Sequence, residues 1–251
     1  MIFIILPAFN EEENIASLME SIDYAMKENA LEYRIVLVND GSFDKTEEVV
    51  KSLQNKFPVT LINHEKNEGL GETIKTGLAH SIQLAEEKDI IVTMDADNSH
   101  CPGLVVRMVR TIREGSDVVI GSRYLADSRV KGVKLNRIFL SKIANIFFKA
   151  LFPIKGVRDY TSGYRAFKKE ILNQAFSTYG DKFISESGFS CTVDILLKLR
   201  PLDCVMMEVP LILRYDTKKG QSKMDIRKTI GNTLKLIGKR LLKKGDRGPA
   251  S

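Results

Sequence analysis

Two carboxylates stand one residue apart at the end of an apolar stretch, where Asp95 and Asp97 follow residues 90–94. The stretch predicts a buried strand, and a turn straight after it can aim both carboxylates at one hard cation. In an open α/β sheet, ligands collect at the carboxyl ends of the strands. We therefore interpret the pair as ligands of a divalent metal that holds a diphosphate. The alternative is an acidic loop that forms an Asx turn or caps the helix opened by residues 101–103.

A second candidate site consists of basic residues in the later half of the chain. Arg137 and Ser141 lie four residues apart, so they share one face if their segment is helical. Together with Arg123 they can grip a phosphate, and ordinary surface charges are the alternative. The lysine-bearing loop 215–223 is of a kind that folds over a diphosphate and offsets its charge, unless it is only a solvated run of charge.

Asp40 is a candidate for contacts with a nucleoside. It follows the apolar residues 34–38, where its carboxylate can accept hydrogen bonds from a base or a ribose, and Gly41 permits a tight turn. A plain Asx turn is the alternative. Gly69 and Gly71 precede a helix, but they lack the third glycine of the dinucleotide fingerprint and the Gly-Lys-Ser/Thr of a phosphate-binding loop. We therefore interpret Gly69 as a turn residue.

Strands and helices alternate along the segments that carry these residues. Apolar runs predict strands at 2–6 (ending at Pro7), 34–38, 59–62, 90–94, 117–120 and 205–213. Apolar residues at helical spacing predict helices at about 11–29, 44–53, 71–86 and 102–114. This order is typical of an α/β fold with a mostly parallel central sheet and helices on both faces.

The charge of the chain is divided unevenly between its halves. Residues 1–125 contain 12 Lys/Arg and 21 Asp/Glu, whereas residues 126–251 contain 26 and 11. The basic half favours an anionic partner such as phosphate or a membrane surface, and the acidic half argues against nucleic acid as a partner. The length of 251 residues suits one large α/β domain with an appendage, which we place at 1–225 and 226–251.

Two apolar segments carry interspersed basic residues. Residues 138–154 hold 12 apolar positions among 17, fewer than the roughly 20 of a membrane-spanning helix. They suit an amphipathic helix in a membrane interface, and a buried core helix is the alternative. From 226 to 251, apolar residues at helical spacing are surrounded by basic ones. This pattern predicts a basic amphipathic helix for an anionic membrane surface or a partner's membrane segment, unless it packs on its own domain.

Five short motifs follow one another along the chain. They are Leu6-Pro7-Ala8-Phe9-Asn10-Glu11, Val38-Asn39-Asp40-Gly41-Ser42, Asn67-x-Gly69, Met94-Asp95-Ala96-Asp97 and Gly121-Ser122-Arg123-Tyr124. Their order resembles the family 2 glycosyltransferases, and among these the polyprenol-phosphate sugar transferases. The likeness covers about residues 2–225. It implies a GT-A fold, a GDP- or UDP-linked sugar as donor, and Mg²⁺ or Mn²⁺ as the metal.

The resemblance also assigns roles to individual residues. It implies that the nucleotide-sugar is held by Pro7, Phe9, Glu11, Val38, Asp40, Asp95, Ala96, Lys218 and Lys223. It implies metal ligands at Asp95, Asp97 and Ser99, catalytic roles for Asp97, Arg123 and Arg165, and acceptor-phosphate contacts from Arg123, Arg137 and Ser141.

The sequence departs from the family pattern at five positions. Phe9 stands where Tyr is frequent, and Asn39 stands in place of a frequent Asp. Ser99 occupies a position where close relatives often have Gln, so a third metal contact can be weak or water-mediated. Asp194 and Thr217 replace a usual Glu and a common Arg, which leaves open whether their donor contacts are kept.

The activity implied by the resemblance is an inverting, metal-dependent transfer of a sugar to a polyprenyl phosphate. The protein would be cytoplasmic and peripheral, at the cytosolic face of the membrane, alone or with a membrane-anchoring subunit. An acceptor phosphate is anionic at neutral pH and attacks without a dedicated general base, so we expect His64, His80 and His100 to be structural or solvated. The alternatives are a transferase acting on a polysaccharide or other glycan, a nucleotidyltransferase, and a non-catalytic protein that binds the membrane surface.

Overall fold

A computed structural model describes residues 1–133, 135–188 and 190–217 together with Gly231 and Gly238, and only the backbone at 135–137 and 140. Three parts of the sequence-based prediction lie outside the described residues. They are the side chain of Arg137, the lysines Lys218 and Lys223, and the amphipathic helix at 226–251.

Up to Ser122 the described elements alternate between strand and helix, as the sequence predicts. Their order is β1 (Ile2–Ala8), α1 (Ile15–Glu28), β2 (Tyr33–Asn39), α2 (Thr46–Leu53), β3 (Val59–Asn63), α3 (Leu70–Leu84), β4 (Ile90–Thr93), α4 (Leu104–Arg113), β5 (Val118–Ser122), β6 (Arg129–Lys131), α5 (Leu135–Leu151), β7 (Arg165–Lys168), α6 (Lys169–Tyr179), α7 (Ser190–Leu199), β8 (Met206–Pro210) and β9 (Ile212–Arg214). Short 3₁₀ turns at Gly180–Phe183 and Arg200–Leu202 flank α7.

The main sheet is mostly parallel and is covered on both faces. Its strand order is β3-β2-β1-β4-β7-β5-β8, and β7 runs antiparallel to both β4 and β5. Successive residues of β1 enter opposite cores, because side chains alternate along a strand. Phe3 and Ile5 face the core that includes α3 and α7, whereas Ile4 and Leu6 face the core that includes α1 and α4. The prediction of an α/β fold with helices on both faces is confirmed.

Most predicted strands end within two residues of the observed bounds, but two departures have a structural reason. The first strand continues past Pro7, which is in register with Val38 of β2. The proline is tolerated there because the β1–β4 pairing ends at Ile5, so its missing N–H leaves no gap on that side. The run at 205–213 is not one strand, since it divides at Leu211 into β8 of the main sheet and β9, which pairs with β6 in a separate ribbon.

Helix α5 has both a buried and an exposed apolar face in the segment 138–154. Phe148 on one face is fully buried in the core, as expected for a core helix. On the opposite face, Phe139, Ile146 and Phe147 are exposed, as expected for a helix lying in an interface. Among the described residues, no helix combines the length and the apolar character needed to cross a membrane.

Candidate active site

The candidate residues collect at one edge of the sheet. The carboxyl ends of β1, β2, β4 and β5 lead into the segments that contain Glu11, Asp40, Asp95 and Arg123. Because β7 is antiparallel, its first residue also lies at this edge, where Arg165 pairs with Thr93 of β4 and with Ile120 of β5. One antiparallel strand therefore adds a cation to an edge that parallel strands supply with acids.

Backbone-to-side-chain hydrogen bonds fasten the segment after β1 to the segment after β2. The N–H of Asn10 donates to Ser42 Oγ at 2.9 Å, and the N–H of Phe43 donates to Asn10 Oδ1 at 3.0 Å. The N–H of Glu11 donates to Thr46 Oγ1 at 2.8 Å. The two predicted nucleoside-binding segments are therefore held together as one unit.

Asp40 is buried and holds a neighbouring loop in place. Its carboxylate accepts hydrogen bonds from the N–H groups of Glu68 and Gly69, each at 2.9 Å, and lies 2.8 Å from His64 Nδ1. Gly69 has a φ of +90°, so it serves as the turn residue that the sequence predicts. The other ring nitrogen of His64 lies 3.0 Å from Thr76 Oγ1. In this structure, the position of Asp40 is thus fixed from three directions.

The side chains of Val38 and Ala96 do not face a ligand. Val38 is buried in the core that includes α3, and Ala96 is buried in the core that includes α1. Any contact that these two residues make with a nucleotide must therefore run through their backbone atoms. Pro7 and Phe9 are half-buried, whereas Glu11 is buried and accepts a hydrogen bond from Asn14 Nδ2 at 2.8 Å.

The turn after β4 presents its two carboxylates differently. The side chain of Asp95 is 33% exposed, whereas Asp97 is buried and accepts hydrogen bonds from the N–H and the hydroxyl of Ser99, at 3.1 and 2.5 Å. Ser99 is fully buried, and its hydroxyl is hydrogen-bonded to Asp97. The assignment of Ser99 as a metal ligand stays a prediction, and in this structure its hydroxyl is directed at Asp97.

His100 supports the same turn. Its Nδ1 accepts a hydrogen bond from the N–H of Asp95 at 3.1 Å, its Nε2 lies 3.8 Å from the Asp95 carboxylate, and its ring stacks on Tyr164 with centroids 4.7 Å apart. The hydrogen bond at Nδ1 and the stacking on Tyr164 hold the ring against the acidic turn. The expectation of a structural role for His100 agrees with this packing.

The acidic turn fits a divalent ion that a substrate helps to bind. Within the described ranges, no three His, Cys, Asp or Glu residues converge as a complete metal-binding group. Mg²⁺ is usually held by one or two carboxylates together with substrate phosphates, and not by a cage made of protein alone. Asp95 and Asp97 match that requirement, because they supply two carboxylates from the turn that follows β4.

The segment 161–163 lies between the acidic turn and the basic residues. Thr93 Oγ1 donates to the Gly163 carbonyl at 2.7 Å, and a Cβ placed on Gly163 would lie 3.7 Å from Asp95 Oδ1. Two residues earlier, Thr161 Oγ1 accepts a hydrogen bond from Arg123 Nη2 at 2.6 Å and lies 3.2 Å from Ser141 Oγ. The structure thus brings together Asp95, Arg123 and Ser141 around one short segment.

Arg123 is paired with a carboxylate that the sequence analysis did not single out. Its Nε and Nη2 donate to the two oxygens of Asp159, at 2.8 and 2.7 Å. Asp159 is fully buried. Burial alone favours the neutral form of both groups, but the pairing outweighs it, so the pKa of Asp159 lies below and the pKa of Arg123 above its ordinary value. Arg123 is therefore held rigidly through its Nε and Nη2, with 21% of its side chain exposed.

Asp159 is itself held by Glu208 of β8. One oxygen of Glu208 accepts hydrogen bonds from the N–H groups of Arg158 and Asp159, each at 2.6 Å. Burial raises the pKa of the Glu208 carboxyl. A second polar contact reaches this region from α5, since Asn145 Nδ2 donates to Thr161 Oγ1 and to Tyr124 Oη, both at 3.1 Å. These contacts fix the segment 159–161 next to Arg123 and Ser141.

Arg165 is buried to an unusual degree for an arginine. It is 1% exposed, and its guanidinium donates to the carbonyl oxygens of Thr192 and Tyr160, at 2.5 and 2.9 Å. Burial lowers the pKa of this guanidinium to about 10. Its Nε has no hydrogen-bond partner among the described residues. A buried cation held by carbonyl oxygens raises the positive potential at the start of β7, where Arg165 is the first residue.

Two departures from the family pattern have definite places in the structure. Asp194 is buried and pairs with Lys198 at 2.7 Å, and it accepts a hydrogen bond from Ser185 Oγ at 3.1 Å. Thr217 donates its hydroxyl to the carbonyl oxygens of Asn98 and Arg214, at 2.8 and 2.7 Å. Asp194 therefore supports α7, whereas Thr217 ties the start of the basic loop to the acidic turn.

Sequence reasoning missed the residues that position the candidate site. Asp159 and Glu208 lie 36 and 49 residues from the groups that they hold. No spacing rule connects residues so far apart. The sequence offered one general expectation, namely that a largely buried arginine needs an acidic partner. That expectation does not say which acid the partner is.

Comparison with known proteins identifies relatives along most of the chain. A family model described as Glycosyl transferase family 2 matches residues 3–176. The chain is 32% identical over 222 residues to a dolichol-phosphate mannosyltransferase of Pyrococcus furiosus, covering 88% of this chain and 58% of that protein. It is 29% identical over 223 residues to a polyprenol monophosphomannose synthase of Mycolicibacterium smegmatis, covering 88% of this chain and 80% of that protein.

Solved structures share the fold. Glucosyl-3-phosphoglycerate synthase from Mycobacterium tuberculosis, in complex with Mn²⁺, UDP and glucosyl-3-phosphoglycerate, superposes with a TM-score of 0.66 at 21% identity. The match covers 99% of this chain and 81% of that one. The same protein in complex with Mg²⁺ and UDP gives a TM-score of 0.67 at 20% identity, covering 99% and 80%. The GT-A fold expected from the motifs is thereby confirmed.

Proposed function

The chain belongs to glycosyl transferase family 2, and we propose that it transfers a sugar from a nucleotide-sugar to a polyprenyl phosphate. Mannose is the first candidate for the sugar, because two relatives are named for mannosyl transfer. Comparing GDP-sugars with UDP-sugars as donors distinguishes guanine from uracil as the donor's base.

One arrangement carries this proposal. Gly163 lies against Asp95, while Thr161 contacts both Arg123 and Ser141. A donor diphosphate beside the acids and an acceptor phosphate beside Arg123 and Ser141 would therefore meet across a three-residue segment. Holding the donor and the acceptor this close together makes the reaction between two substrates effectively unimolecular, which lowers its entropic barrier.

The chain's own residues would divide the work between donor and acceptor. A divalent ion on Asp95 and Asp97, when bound, supplies positive charge for the leaving diphosphate. Arg123, fixed by Asp159, and Ser141 would orient the acceptor phosphate for attack on the anomeric carbon, with inversion. A phosphate oxygen is already anionic, so no side chain has to remove a proton. Arg165 would add positive potential at the same edge without leaving the protein interior.

A membrane-surface location follows from the same proposal. A polyprenyl phosphate keeps its chain in the bilayer and its phosphate at the surface. The exposed face of α5, formed by Phe139, Ile146 and Phe147 and bordered by the exposed Lys142 and Lys149, suits insertion into that interface. We propose that the protein acts there at the cytosolic face, assisted by the basic segment 226–251 or by an anchoring subunit.

Label transfer tests the proposal directly. The protein is incubated with a panel of radiolabelled GDP- and UDP-sugars, Mn²⁺ or Mg²⁺, and a short polyprenyl phosphate. We expect label in a product that partitions into organic solvent, with one sugar and one base preferred. Label that remains in a water-soluble glycan or polysaccharide would overturn the choice of acceptor, and hydrolysis without transfer would overturn the activity.

A further inference from the structure

An exposed aromatic side chain stands beside the nucleoside-binding segments. Phe43, between β2 and α2, is 85% exposed, more than any other large hydrophobic side chain of the described residues. Its ring meets that of Phe9 at an interplanar angle of 82°, with centroids 5.8 Å apart. The family-based roles include Phe9 but give no role to Phe43. An aromatic ring left in water loses the stabilisation that its burial would provide.

The exposure of Phe43 is not due to a loose loop. The N–H of Phe43 donates to Asn10 Oδ1, and Ser42 Oγ accepts from the N–H of Asn10. On the other side, Gly41 packs so closely on the backbone of residues 66–67 that a Cβ would lie 2.4 Å from the carbonyl carbon of Lys66. The loop is therefore clamped from both sides, and it presents the ring in a fixed position.

We propose that Phe9 and Phe43 form a right-angled aromatic corner that holds the nucleobase of the donor. The inference deepens the proposed function and rests on it. A planar base that stacks on one ring turns its own edge toward the other ring, because the two rings are nearly perpendicular. Both rings can therefore contact the base without moving. Every nucleobase has an aromatic face, and stacking on a protein ring is a general source of affinity. A preformed corner also avoids the entropy of ordering a loop on binding.

The chain offers a matched control for this corner. Tyr24 on α1 is 68% exposed, so it is a second large aromatic side chain in water. Helix α1 starts after β1 and leads back to the start of β2, which puts its last turns toward the opposite edge of the sheet. Tyr24→Ala therefore removes an exposed aromatic ring without touching the corner, whereas Phe43→Ala removes a ring of the corner itself.

Calorimetric titration of the full chain with GDP, UDP and inorganic pyrophosphate, each with Mn²⁺, tests the inference. We expect Phe43→Ala to weaken binding of the preferred nucleotide roughly 10-fold, within the range of base–aromatic stacking, and to leave pyrophosphate binding unchanged. Tyr24→Ala should bind all three ligands as the wild type does. Equal nucleotide affinity in Phe43→Ala and the wild type would overturn the corner, as would an equal loss in Tyr24→Ala.

A spectroscopic variant gives an independent readout. The sequence contains no tryptophan, so Phe43→Trp introduces a single indole whose fluorescence can be followed. Its emission should change on addition of the preferred nucleotide and stay constant with pyrophosphate. A constant emission during nucleotide binding would overturn the inference. If the wild type binds neither nucleotide, the proposed function itself fails, and the two failures are thereby distinguished.

Discussion

The substitution Asp159→Ala removes the carboxylate that fixes Arg123. Asp159 accepts hydrogen bonds from the Arg123 guanidinium at 2.7 and 2.8 Å, and from the N–H groups of Arg123, Thr161 and Ser162 at 3.0 to 3.2 Å. Removing one partner of a buried ion pair costs about 3–5 kcal/mol, because the other charge and the donors remain buried. For a chain of this length, that loss lowers Tm by roughly 6–20 °C.

Urea unfolding followed by circular dichroism measures this loss. Asp127→Ala is the control, since Asp127 is exposed and its replacement should change the free energy of unfolding by less than about 0.5 kcal/mol. A loss below about 1 kcal/mol in Asp159→Ala would refute the reasoning that Asp159 secures Arg123. Transfer should also fall, through a higher KM for the polyprenyl phosphate and not for the nucleotide-sugar.

The same pair makes a prediction about pH. The pKa of Asp159 is lowered in the folded protein, so its stabilising effect is present above the ordinary carboxyl pKa of about 3.9. It is lost as the pH falls from that value through the lower folded pKa. The difference in unfolding free energy between the wild type and Asp159→Asn should therefore narrow below about pH 4. A difference that stays constant down to pH 3 would contradict the pairing.

Three further substitutions have definite expected outcomes. Gly41→Ala should lower the free energy of unfolding in urea by about 2–4 kcal/mol, because its Cβ would clash with the Lys66 backbone at a φ of +65°. The control is Gly115→Ala, which has a φ of +118° and open space around it, so it should lose only the smaller conformational part. Equal losses in the two variants would exclude the clash. Arg165→Met should lower transfer at least about 100-fold while changing the free energy of unfolding by less than about 2 kcal/mol, since the cation is costly to bury; a loss above about 4 kcal/mol would make its role structural. Phe147→Ser should weaken binding to anionic vesicles in a flotation assay by about 10-fold, and unchanged flotation would remove the α5 face as the contact.

Local motifs predicted the edge of the sheet where the candidate residues gather. Asp95 and Asp97 follow a buried strand directly, so residue order alone put both acids at its carboxyl end. Asp40 followed another strand in the same way. These predictions succeeded because a strand and the turn after it form one continuous local pattern.

Elements with weak local patterns could not be predicted. Strand β7 has four residues, of which the first and last are cationic, and it inserts antiparallel between two strands that come earlier in the chain. Its position depends on a partner register that no short-range pattern contains. Helix α5 was ambiguous for a different reason, because apolar side chains occupy both its buried and its exposed face.

The positions of the charged partners were equally hidden. Arg123 and Asp159 are separated by 36 residues, and His64 lies 24 residues from Asp40. The sequence therefore indicated candidate groups for the chemistry, but it did not show which residues hold those groups in place. The hydrogen bonds that Ser99 makes to Asp97, and that Lys198 makes to Asp194, were not visible in the sequence either.

The central claim is that sugar transfer needs a divalent ion held by Asp95 and Asp97. Measuring transfer by the wild type and by Asp97→Asn, with and without the metal ion, tests this claim most directly. Asparagine can still accept the hydrogen bonds from the Ser99 N–H and hydroxyl, so the turn is kept while the charge is lost. With labelled nucleotide-sugar and polyprenyl phosphate, the wild type should form organic-extractable product only with Mn²⁺ or Mg²⁺, and Asp97→Asn should form at least about 100-fold less. Wild-type turnover in excess chelator, or undiminished turnover in Asp97→Asn, would contradict the account.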